Sequence, residues 1–105
     1  MTFKNEQGIT KIKFTQNAQC FCPLGNDWYT NQFTVEIVPN ELLADYVDVE
    51  KFIRKEISGK TLILEEAVST LFNYIQTEIK PKYLKVSSYG ADAVHFPVTV
   101  TKETI

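Results

Sequence analysis

The chain has 105 residues, with 11 Lys plus Arg against 13 Asp plus Glu and a formal net charge of −2. A hydrophobic share of 44% and a charged share of 23% describe one ordinary folded domain over residues 1–105, because a chain of this length supports a single core. The small acidic excess argues against nucleic-acid binding, and no apolar run reaches the ~18 residues of a membrane span.

In chain order, the first strand is expected from about Ile9, extending toward Cys22. Thr10, Ile12 and Phe14 share one parity there and Lys11 and Lys13 the other. The turn formers Pro23-Leu24-Gly25-Asn26-Asp27 follow. A second strand alternates Phe33, Val35 and Ile37 with Thr34 and Glu36, and Pro39-Asn40 stops it. Asp48 is expected to N-cap a first helix that ends at Gly59, with Val49, Phe52, Ile53 and Ile57 on one face. A second helix is expected from near Glu65 to before Pro81, with Val68, Leu71, Phe72, Ile75 and Ile79 as its apolar stripe. A third strand carries Leu84 and Val86. A fourth runs over Val94, Phe96, Val98 and Val100, with Pro97 inside it as an edge signal. The order β-β-α-α-β-β implies an α+β domain, an antiparallel sheet with both helices on one face. The other face, with Tyr83, Tyr89 and His95 among its residues, needs cover, and a closed oligomeric barrel would supply it.

The two cysteines, Cys20 and Cys22, are too few for a disulfide scaffold and too close for an unstrained bridge. Free thiols, together with the lack of an apolar signal segment in Met1–Gln7, point to the cytoplasm. A Cys-x-Cys pair and one His95 supply at most three metal ligands, so no metal is expected. Trp28 and Tyr29, beside the turn, are candidates for stacking on a flat ring, although aromatic residues at a strand start more often belong to a core or an interface. His95 reads most simply as a solvent- or interface-facing residue.

Three stretches carry a resemblance. Asp45-Tyr-Val-Asp48-Val-Glu-Lys-Phe-Ile53, Leu62-Ile-Leu-Glu65-Glu-Ala-Val-Ser-Thr-Leu71, and Phe14-Thr15 with Cys22-Pro23-Leu-Gly-Asn-Asp27-Trp28 resemble the tunnelling-fold (T-fold) superfamily. Within it they are most similar to the cyano-deazaguanine nitrile reductases. The resemblance implies a purine- or pterin-like heterocycle held at a subunit interface of a homo-oligomer. Glu65 would accept two parallel N–H bonds from the heterocycle, with Glu66 as the alternative one position on. It further implies Cys22 as nucleophile toward a nitrile, Asp27 as the acid, and NADPH as hydride donor in queuosine biosynthesis, an oxidoreductase activity. The stretch that holds substrate and NADPH in those enzymes is Leu42–Val47 here, and the His before their helix Glu is Leu64. The zinc chemistry of pyruvoyl-tetrahydropterin synthase needs three His, and this chain has one. Read without the resemblance, Glu65 and Glu66 are first-turn carboxylates favoured by the helix dipole, Cys22 a buried thiol and Asp27 a turn residue. A second function, from a different class, is therefore a non-catalytic T-fold protein that binds a heterocycle or serves assembly.

Overall fold

A computed structural model describes residues 1–92 and 95–104. Its elements are β1 (Thr2–Lys4), β2 (Ile12–Cys22), β3 (Asp27–Val38), β4 (Leu42–Ala44), α1 (Tyr46–Glu56), α2 (Leu64–Ile79), β5 (Tyr83–Gly90) and β6 (Val98–Glu103). Four strands form an antiparallel sheet in the order β2-β3-β5-β6, and β1 pairs separately with β4. Period-2 alternation puts Ala18, Cys20, Phe33, Val35, Ile37, Leu84 and Val86 on one sheet face, all buried. Both helices lie against that face. α2 contributes Val68, Leu71, Phe72, Ile75 and Ile79, and α1 and the residues after it contribute Val49, Ile53 and Ile57. Phe52 and Tyr74 stack between the helices, with centroids 3.9 Å apart and planes 10° from parallel.

The opposite face is polar and arranged in rows across all four strands. Lys13, Glu36, Lys85 and Glu103 form one row; Thr15, Thr34, Ser87 and Thr101 form the next; Asn17, Gln32, Tyr89 and Thr99 form a third. Lys11 and Lys85 lie 3.3 and 3.9 Å from the Glu36 carboxylate. The Lys11 ammonium is the main reason that its pKa sits below the usual carboxylate value.

The two apolar stripes and the antiparallel sheet agree with the sequence reading, and the boundaries differ in ways that have local causes. α1 starts earlier than expected because Asp45, not Asp48, is its N-cap and accepts from the Val47 N–H at 2.9 Å. Asp48 instead receives the N-terminal ammonium. The β1–β4 pair was not expected: each strand has three residues, too few for alternation to register. β3 begins at Asp27 rather than near Phe33, since the polar residues between them belong to the helix-free face or to a buried polar cluster. β6 starts at Val98, so Pro97 stands just before the strand; Val94, also expected in it, lies outside the described residues.

Candidate functional site

The long β2–β3 ladder ends with Cys22 directly opposite Asp27. Opposed residues of an antiparallel pair project to the same face with Cβ atoms about 4.5–5.5 Å apart. Here that face is the helix side, continuing the parity of buried Cys20 and Tyr29. The turn between them closes through Asn26 at φ +53°, and the Gly25 N–H donates to Cys22 Sγ at 3.4 Å. Asp27 Oδ1 accepts from the Trp28 N–H at 2.8 Å.

The connection between the helices brings Glu65 to the same place. Gly59, at φ +79°, turns the chain out of α1, a conformation that favours glycine. Its N–H donates to the Gln19 carbonyl at 2.7 Å. The Phe21 N–H then donates to Lys60 O at 2.9 Å and the Leu62 N–H to Phe21 O at 3.1 Å. The segment is thus laced along the outer edge of β2, with a parallel bridge between Phe21 and Thr61. Tyr29, on β3, donates its hydroxyl to the Leu62 carbonyl. α2 begins two residues after Leu62. Gly90 at the end of β5 allows that approach, because a Cβ there would lie 3.0 Å from Leu64 Cδ1.

The result is a cleft of about 320 Å³. Cys22, Asp27 and Glu65 all line it, together with Trp28, Tyr29, His95 and Phe96 and the aliphatic side chains of Leu24, Ile63, Leu64 and Val98. The structure also separates the two glutamates. Glu66 Oε1 accepts from the Ile63 N–H at 3.1 Å, one half of a capping box whose other half Ile63 has no side-chain acceptor to provide. Glu66 is therefore occupied by the helix end, and Glu65 is the one that faces the cleft.

The two thiols are equally distinct. Cys20 is fully buried; its Sγ donates to Ile57 O at 3.2 Å and accepts from Asn31 Nδ2 at 3.2 Å. Burial pushes its pKa up, which keeps it a protonated, unreactive thiol. Cys22 is partly exposed at the cleft wall.

Sequence reasoning did not single out Phe96 and gave His95 a plain surface role, yet both line the cleft. The signal for Phe96 lies in the structure and not in a local sequence pattern. Phe96 is 76% exposed and Trp28 is 51% exposed, and large aromatic side chains left open to solvent tend to mark binding surfaces. His95 Nδ1 lies 2.7 Å from the Phe96 carbonyl; since a carbonyl only accepts, Nδ1 carries the proton and Nε2 is the free acceptor in the neutral ring.

The lining offers two carboxylates and an imidazole and, among the described residues, no Lys or Arg. Such a set does not fit the pyrophosphate and 2′-phosphate of NADPH, which call for cationic or clustered N–H donors. The volume also lies at the small end of ligand sites, which span about 300–1,000 Å³, enough for one flat heterocycle and too little for a dinucleotide beside it. Among the described residues no group of three His, Cys, Asp or Glu side chains is placed to hold a metal, and no helix is long and apolar enough to cross a membrane.

No protein-family profile matches the chain, and no curated protein sequence matches it. Solved structures do. The crystal structure of the archaeosine synthase QueF-Like in its apo form superposes with a TM-score of 0.83 at 18% identity, over 91% of this chain and 94% of that one. A putative dihydroneopterin aldolase (FolB) from Vibrio cholerae O1 biovar El Tor strain N16961 superposes with a TM-score of 0.73 at 15% identity, over 91% of this chain and 97% of that one. The two helices on one face of the β2-β3-β5-β6 sheet are thus a shared architecture at identities that speak to the fold alone: the chain has the tunnelling fold.

Proposed function

We propose that the cleft binds a planar purine- or pterin-like heterocycle carrying a nitrile, and that Cys22 adds to that nitrile. The observation that supports this most is the meeting of Cys22 and Asp27 with Glu65, from two separate stretches of sequence, in one cleft. Glu65 accepts from a ring N–H and its neighbouring exocyclic amine in a two-bond, charge-assisted pairing. Trp28 and Phe96 supply apolar surface for the ring faces. The Cys22 S–H proton passes to the Asp27 carboxylate as the sulfur bonds to the nitrile carbon, one π bond of the nitrile opens, and its nitrogen takes that proton back from Asp27. The product is a neutral thioimide, and nothing is oxidised or reduced. The neighbouring fold of an archaeosine synthase is consistent with chemistry on a deazaguanine.

Hydride from NADPH is the continuation that the nitrile reductases suggest, placing the protein in queuosine metabolism as an oxidoreductase. The cleft's own lining holds no phosphate-binding cation, so no hydride step is assigned to it. We read the protein as a cytoplasmic homo-oligomer. β2 and β6, the edges of the four-stranded sheet, run antiparallel to each other, so a second copy's β2 beside β6 continues the same alternation.

Thermal-shift screening with guanine, pterin and cyano-deazaguanine, with and without NADPH, followed by calorimetric titration, tests the binding. A stabilising heterocycle whose affinity falls in Glu65→Gln supports the reading. Absence of any shift across the panel overturns it. Binding of a nitrile-bearing ring without covalent addition identifies the protein as a non-catalytic binder instead.

A further inference from the structure

We infer that Tyr29 is a positioning residue that acts through Glu65, by tethering the start of α2 to β3. The inference rests on the site reading above. It begins with the peculiar path of the connection between the helices. On one side that segment's backbone bonds to β2, at Gln19 and Phe21. Its last residue before the helix cap is Leu62. The Leu62 N–H is spent on Phe21 O, and its carbonyl accepts from the Tyr29 hydroxyl. One residue is therefore held by two different strands, β2 through its N–H and β3 through its C=O. Ile63, Leu64 and Glu65 follow without a break into the first turn of α2.

Tyr29 is suited to this task by its surroundings. Its ring is buried, with 3% of its surface exposed, and it also forms part of the cleft wall. It lies opposite Cys20 in the ladder, and Asn31, next on the same face, bonds to Cys20 Sγ, the Ala18 carbonyl and Ser88 Oγ. That buried polar cluster fixes the base from which the phenol reaches. Burial raises the phenol pKa further above its usual value, so Tyr29 remains a donor across the working pH range. A phenol that only filled the core would leave its hydroxyl without a reason to be there; this one ends on the backbone that delivers Glu65.

Three measurements on Tyr29→Phe, which keeps the ring and removes the donor, test this. The affinity for cyano-deazaguanine should fall about ten-fold, the scale of one net hydrogen bond lost. Combining Tyr29→Phe with Glu65→Gln should lower affinity no further than Glu65→Gln alone, because the tyrosine acts through the carboxylate. The rate of Cys22 alkylation by iodoacetamide should not change, and Cys20 should stay protected, since neither depends on Glu65. An independent loss in the double variant, or labelling of Cys20, overturns the inference by showing a general structural role. Should the wild type fail to bind cyano-deazaguanine, the site reading fails, and hydrogen exchange then decides on Tyr29 alone. Amides of residues 62–66 exchanging about ten-fold faster in Tyr29→Phe uphold the tether, and unchanged exchange there refutes it. Failure of Tyr29→Phe to fold also refutes it, since the bond would then be a condition of the fold.

Discussion

Side chains one position apart have separate tasks in this chain, and the separation is set by hydrogen bonds rather than by residue type. Glu65 and Glu66 both read as first-turn carboxylates, and only the structure shows that Glu66 caps Ile63 while Glu65 lines the cleft. Glu66→Ala should therefore lower stability by ~0.5–2 kcal/mol, as loss of a cap does, whereas Glu65→Gln should leave the unfolding midpoint nearly unchanged and weaken heterocycle binding about 30- to 1000-fold. Denaturant unfolding and calorimetry on the two variants check the pair; reversed effects would mean that the helix starts one residue earlier. Asp92 gives a second case. Its carboxylate accepts from the Thr30 N–H at 2.8 Å and Oγ1 at 2.9 Å, and these bonds hold its pKa below the usual aspartate value. A depressed carboxylate pKa adds stability above the unfolded value and loses it as pH falls through the folded one. Asp92→Asn should thus flatten the stability curve below about pH 4 and leave the slope at neutral pH unchanged, as acid titration of unfolding would show.

At the scale of elements, what the sequence made legible was whatever repeats along the chain. The α2 stripe repeats through four turns and was readable in full: Val68, Leu71, Phe72, Ile75 and Ile79 are all buried. Val68→Asp should unfold the domain, because Val68 is 1% exposed and an unpaired charge there costs several kcal/mol; a cooperatively folded variant by circular dichroism would contradict the packing. What did not repeat was not readable. The start of β3 is hidden because Thr30 and Gln32 face away from the helices while Asn31 is a buried polar residue with satisfied bonds. The cap at Asp45 competed with an equally good Asp48, and only the bond to the Val47 N–H decides between them. The candidate site shows the same division. Cys22 and Asp27 were visible as a motif, and their facing each other across the ladder follows from the hairpin register. The contribution of His95 and Phe96 depends on tertiary placement that no local pattern encodes.

At the scale of the molecule, the homo-oligomer proposed above would cover the helix-free face. Its rows of Lys and Glu, of hydroxyls, and of amides with Tyr89 and Thr99 run across four strands, and β6 and the part of β2 before Gln19, which the Gly59–Leu62 segment leaves uncovered, can take a further antiparallel neighbour. Sedimentation at micromolar concentration should show a closed oligomer; a monomer alone would contradict this and leave the cleft formed by one chain. The central claim concerns that cleft, and intact-protein mass measurement after incubation with cyano-deazaguanine tests it most directly. The account predicts a mass gain equal to the whole ligand, located on Cys22, absent in Cys22→Ala and slower to form in Asp27→Asn. An unmodified wild-type protein with the ligand bound, or an adduct that persists in Cys22→Ala, would contradict it.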